Sequence, residues 1–137
     1  MPKHNVHTCI DHNNDKIIQE LRLPEGVHAR ALTLGFLCAL AQARLVYGID
    51  VKGDLTEPVA VHHIHTDGCN FHFSVFQLNT LNLDEPTGIK NIFWHEEDIS
   101  SLFDVCDYVM AKPTLSGYNP EIFSKFSAMY LQNAKDL

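Results

Sequence analysis

Polar and apolar positions alternate most persistently in the run Phe71–Trp94, FHFSVFQLNTLNLDEPTGIKNIFW. Its first half has the two-residue period of a strand whose side chains point to opposite faces. Asp84-Glu85-Pro86-Thr87-Gly88 reads as a turn, and Ile89 to Trp94 as a returning strand. Upstream, Val59 to about Thr66 supplies a partner strand. Asp67-Gly68 between them is a two-residue hairpin signal, because both turn positions favour positive φ. That turn predicts a register in which Thr66 faces Cys69 and His63 faces His72. One face then carries Ala60, His62, Ile64, Phe71, Phe73 and Val75, and the other Val59, Val61, His63, His65, His72, Ser74, Phe76 and Leu78. Both faces are apolar enough to require cover.

Helical spacing accompanied by a cap or stop signal appears three times. Asn14 can cap a short helix from Asp15 to Arg22, with Ile17, Ile18 and Leu21 on one side. After the break Leu23-Pro24-Glu25-Gly26, a long helix runs from about Val27 to Tyr47 and ends at Gly48. It is apolar almost all round, which predicts burial on most faces, and its many alanines allow neighbours to approach closely. The third helix is marked by Asn119 as cap, Pro120 at the first position and Glu121 in the first turn. Ile122, Phe123, Phe126, Met129 and Tyr130 form its apolar stripe. Residues 1–13 read as polar, flexible loop, Ile49 to Glu57 as a polar connection, and Ile99 to Met110 as helix. The pattern describes one α+β domain, a small antiparallel sheet (hairpin plus return strand) packed with a long buried helix and a C-terminal helix.

Composition narrows the function. The 137 residues suit one domain. No stretch of about 18 uninterrupted apolar residues supports a membrane span. The four cysteines Cys9, Cys38, Cys69 and Cys106 are widely spaced and form no CxxC pair, which suits a reducing compartment. The net charge is -7. Gly53 to Ala111 holds ten acidic residues against one base, Lys90, for a local net of -9. A surface of that sign repels phosphate, so this segment suits protein neighbours better than nucleic acid.

Reactive groups are sparse. Ser74, Ser100, Ser101 and Ser116 lack a glycine elbow, and no Walker loop or dinucleotide fingerprint occurs. Glu96, Glu97 and Asp98 read as a solvated charged loop. Phe71, Phe73 and Phe76 lack the basic surroundings of a base-stacking sheet and read as core. Histidine is the exception. His63, His65 and His72 share a sheet face and offer a candidate imidazole site for zinc, iron or copper, the metalloprotein alternative. A second set, His4, His7, Cys9 and His12, has ligand-like residue types without a standard zinc spacing.

The ordered series Thr66-Asp67-Gly68, FHFSVFQLNT (Phe71 to Thr80), Leu83-Asp84 and GIKNIFW (Gly88 to Trp94) resembles the C-terminal part of the mitochondrial large-ribosomal-subunit protein thirty-seven family. The closing GYNPEIFSKFSAMYL, Gly117 to Leu131, resembles the end of the same family. A paralogous mitoribosomal family, numbered S thirty or sixty-five, shares the weaker pattern QLNT followed by KN-x-x-W. The resemblance is clear over about Thr66 to Leu131. It implies a non-enzymatic structural subunit of the mitochondrial ribosome, without cofactor or small-molecule substrate. Its partners would be neighbouring mitoribosomal proteins, the paralogue among them, and large-subunit rRNA. Family members are longer, so the resemblance implies a C-terminal portion of such a chain, with no transit peptide visible in it. Gln77, Asn79, Thr80 and Asn91 are expected to fix strand geometry, and Trp94, Phe126 and Tyr130 to act as core or interface anchors.

Overall fold

The computed structural model describes residues 4–7 and 24–132. The short helix expected over 15–22 lies outside the described residues, as do Cys9 and His12. The element order is β1 (His4–His7), α1 (Pro24–Tyr47), β2 (Asp54–Thr66), β3 (Asn70–Thr80), β4 (Ile92–His95), β5 (Ser100–Ser101), β6 (Val105–Val109), β7 (Lys112–Ser116) and α2 (Pro120–Gln132). The main sheet has the order β1-β2-β3-β4, and β5 pairs with β3 as well. β2, β3, β4 and β5 are antiparallel to their neighbours, while β1 runs parallel to β2, placing His4 beside His62 and His7 beside His65. A strand therefore stands at His4–His7, where the sequence suggests loop.

The α+β architecture is as expected, with a helix on each face of the sheet. Against one face, Ala39 and Ala43 of α1 pack with Val61, Phe76 and Leu78, flanked by Phe36, Leu55, Val59 and Phe93. Against the other, Ile122 of α2 packs with Ile64, Phe71 and Phe73, flanked by Leu102, Phe126 and Met129. The fully buried side of α1 is narrower than its composition suggests. Ala31, Ala39 and Ala43 are completely buried and Gly35 lies on the same stripe, whereas Leu32, Leu37, Leu45 and Val46 are exposed. Gly26–Tyr47 is long and apolar enough to cross a membrane by length and composition; in this fold its small-residue stripe lies on the sheet. Gly48 donates to the Arg44 carbonyl at 3.1 Å and ends the helix.

The β2–β3 register is two residues away from the one a two-residue turn predicts. Thr66 pairs with Phe71, His65 with His72, and His63 with Ser74. The cause is the loop chemistry. The Asp67 carboxylate accepts from the Cys69 and Asn70 amides at 2.9 and 2.7 Å, and Thr66 Oγ1 accepts from the Gly68 amide at 2.9 Å. These local bonds draw 67–70 into a wider loop, with Gly68 at φ 96°. A shift of two preserves which side chains share a face, so the expected face sets hold while the cross-strand partners change. Partial burial alone raises the Asp67 pKa, but hydrogen bonds from Asn70 and Cys69 outweigh it and hold the carboxyl below its ordinary value.

Two further differences have local causes. β2 begins at Asp54, before the expected Val59, and its ladder is irregular between Asp54 and Val59, around Pro58. Tyr47 Oη donates to the Glu57 carbonyl at 2.9 Å and accepts from its amide at 3.2 Å, tying the end of α1 to that irregularity. The helix expected over Ile99 to Met110 is instead strand β5 followed by the hairpin β6–β7. Val105, Tyr108 and Val109 favour extended backbone, and their partners Ser116, Pro113 and Lys112 lie just across the turn, a local pairing that helical spacing does not reveal. Met110 and Ala111 turn the hairpin at φ 51° and 61°.

α1 approaches the sheet closely at Gly35. A Cβ added there would lie 2.7 Å from Phe76 Cβ and 3.5 Å from His63 Nε2. Gly35→Ala is expected to lower the unfolding free energy by roughly 1–3 kcal/mol through overpacking, despite alanine's higher helix propensity. Chemical denaturation checks this; a stabilised Gly35→Ala protein would contradict the close packing.

Candidate functional site

The amides of the Phe71–Trp94 run form a clasp. Asn91 Oδ1 accepts from the backbone amides of Asn79 and Thr80 at 2.7 and 2.9 Å, and Asn91 Nδ2 donates to the Thr80 carbonyl at 2.9 Å. One side chain thus takes the place of a neighbouring strand at the end of β3. Asn79 Nδ2 donates to the Lys90 carbonyl at 2.7 Å, and Gln77 Nε2 donates to Asn79 Oδ1 at 2.8 Å. The buried Thr80 hydroxyl accepts from the Asn82 amide at 3.0 Å. Gly53 closes the other edge, its carbonyl accepting from the Leu81 amide at 2.8 Å. The polar residues of QLNT and KN hold the two ends of the exposed 82–90 loop together.

Histidines gather at the opposite end of β3. His72 is 1% exposed and lies under the first turns of α1, with ring centroids 4.7 Å from His28 and 6.1 Å from His95. His28 and His95 are 4.1 Å apart by the same measure. The Glu96 carbonyl accepts from His72 Nε2 at 3.1 Å and from His95 Nδ1 at 3.0 Å. A carbonyl cannot donate, so each of those nitrogens carries the proton and the other nitrogen of each neutral ring presents a lone pair. His63 and His65 continue along the same face, with centroid spacings of 6.2 Å from His63 to His65 and 6.3 Å from His65 to His72. Of the candidate trio His63, His65 and His72, His72 joins the converging group, which it forms with His28 and His95.

Burial pushes the His72 ring below its ordinary pKa, and His28 acts in the same direction; the hydrogen bond to Glu96 opposes both without cancelling them. Glu96 departs from the charged-loop reading. Its amide donates to Phe73, its carbonyl receives two histidines, and its carboxylate receives Lys125 from α2 at 2.9 Å. Beside it a groove of ~410 Å3 runs between β4 and α2, lined by Phe73, Val75, Trp94, Lys125 and Met129 among others. Trp94 is 50% exposed at this groove, and Tyr130 is also exposed. Phe126 packs edge-on to Phe71, with a centroid distance of 6.1 Å.

His28 and His95 are the residues that reading the sequence missed. The signal for His28 was present, since 28, 31, 35, 39 and 43 follow helical spacing and form the small-residue stripe. His95 needed the β3–β4 register, which pairs it with Ser74.

The fold and these two features define an α+β protein whose distinctive motif residues hold backbone geometry. The chain belongs to the family described as mitochondrial 28S ribosomal protein S30 (PDCD9), which matches residues 8–134. It is 41% identical over 116 residues to large ribosomal subunit protein mL37 of Gallus gallus, covering 79% of this chain and 27% of that protein. Identity to mL37 of Bos taurus is 40% over 118 residues, covering 81% of this chain and 28% of the relative. The resemblance read from the ordered motifs is borne out, and the chain spans about a quarter of the length of these relatives.

Asn91→Ala strands two amides and a carbonyl at the end of β3 and is expected to cost about 2–3 kcal/mol. Gln77→Ala loses one side-chain partner and should cost roughly 0.5–1.5 kcal/mol. Denaturant titration ranks them; equal losses would contradict the clasp geometry. For His72, the unfolded ring takes a proton near 6.5 and the folded ring only at lower pH. Stability is thus unaffected by this group above 6.5 and falls as pH drops from 6.5 toward the folded value. Unfolding free energies on either side of that window should show the fall, and His72→Gln should flatten it.

Proposed function

We propose that this chain is a structural, non-catalytic constituent of the mitochondrial ribosomal large subunit, forming a single domain equivalent to the C-terminal portion of a longer family protein. It supports mitochondrial translation by holding neighbouring ribosomal proteins, the paralogous subunit among them, with contacts to large-subunit rRNA. The observation that carries this reading is the identity of about 40% to proteins named large ribosomal subunit protein mL37. The surface supports it. Leu37, Leu45 and Val46 along α1, and Tyr108, Met110 and Leu115 on the β6–β7 hairpin, are large apolar groups left in solvent. Such surfaces suit a chain that is covered within an assembly. The acidic stretch from Gly53 to Ala111 favours protein over RNA as the neighbour of the sheet and hairpin.

Sedimentation tests the reading. The tagged chain, produced in mitochondria, is expected to travel with the large subunit through a density gradient and to remain with it after mild salt treatment. Recovery in the soluble fractions alone would reject the ribosomal role.

A further inference from the structure

We propose that His28, His72 and His95 form a binding site for one divalent transition-metal ion of zinc-like character. The site goes beyond a role as ribosomal scaffold, because it uses side chains that meet where the start of α1 crosses the sheet, His72 buried, His28 partly buried and His95 exposed.

One ring nitrogen from each residue lies within 4.8 Å of the other two. A tetrahedral zinc site needs about 2.0–2.1 Å from metal to nitrogen, hence roughly 3.4 Å between nitrogens. Small rotations of the rings close that difference. The burial of His72 supplies an independent observation. It is 1% exposed, and its Nδ1 has no hydrogen-bond partner among the described residues; His28 Nε2 is buried and unpartnered in the same sense. An unpaired lone pair in such a place costs free energy, and a cation answers it.

The Glu96 carbonyl completes the arrangement. By accepting the Nε2 proton of His72 and the Nδ1 proton of His95, it orients both rings and fixes their tautomers. This is the outer-shell contact that metal-binding histidines characteristically make. Three neutral imidazoles select a borderline ion such as Zn2+ over Ca2+ or Mg2+, which require oxygen ligands. The ligands come from α1, β3 and the end of β4, so the ion would link the start of the helix to the two strands beneath it. A three-histidine set leaves a fourth position for water or another side chain.

The test uses the 137-residue chain, stripped with a chelator and titrated with Zn2+ against a competing chromogenic chelator. The expected result is one equivalent bound with Kd at or below about 1 μM, a rise in Tm with Zn2+, and tetrahedral visible absorption with Co2+. His28→Asn and His95→Gln avoid the buried His72 and should each weaken binding by at least ~10-fold, with unchanged circular dichroism in the metal-free state. Absence of zinc uptake would overturn the proposal. So would full affinity in both of these variants, or binding abolished by His4→Gln and His7→Gln alone, which would assign the metal to the N-terminal histidines.

Discussion

β3 must be satisfied on both edges and both faces at once, and the rest of the fold follows from that constraint. β2 takes one edge, while β4 and β5 share the other. Phe76 and Leu78 point toward α1, and Phe71 and Phe73 toward α2. An eleven-residue strand enclosed in this way exposes almost nothing. Its two ends are therefore where polar chemistry must be provided from within the chain. At Thr80 the Asn91 amide supplies it, and at His72 the Glu96 carbonyl does.

The contact between α1 and the sheet is made by backbone and small side chains, with Phe36 set edge-on to Phe76 beside them. With alanines at 31, 39 and 43 and glycine at 35, the helix lies low over Phe76. Larger residues on that stripe would lift it and separate His28 from His72. The same geometry leaves Leu32, Leu37 and Leu45 of α1 exposed. The helix has two apolar sides of different kinds, one of small residues used internally and one of large residues left uncovered.

What the sequence disclosed was local. The cap of α2 is where Asn119 predicts it, with Asn119 Oδ1 accepting from the Glu121 amide at 3.1 Å. β3 runs over nearly its predicted span, and the distribution of side chains between its faces is correct because the register error is an even number. The motif residues Gln77, Asn79, Thr80 and Asn91 were visible as a group, yet that Asn91 is the centre of the clasp depends on the fold of the 82–90 loop. The histidine triad was less legible. Its members lie at 28, 72 and 95, brought together by packing between a helix and two strands, and sequence adjacency instead drew attention to His63 and His65. The β6–β7 hairpin was misread because apolar spacing near Ile99 and Leu102 suits a helix, while the deciding pairing partner lies beyond the turn.

That hairpin stands apart energetically from the body. Its strand residues are all exposed, and the two residues at its tip adopt left-handed backbone without being glycine, at a cost of roughly 1–2 kcal/mol each. A two-stranded ribbon that has no third strand or covering helix among the described residues has little to offset such strain. The chain accordingly has two tiers of cooperativity. The sheet and its helices open together, whereas amides in the ribbon exchange with solvent through a local opening that leaves the core intact. The ribbon is the part of the fold whose order depends most on what lies next to it.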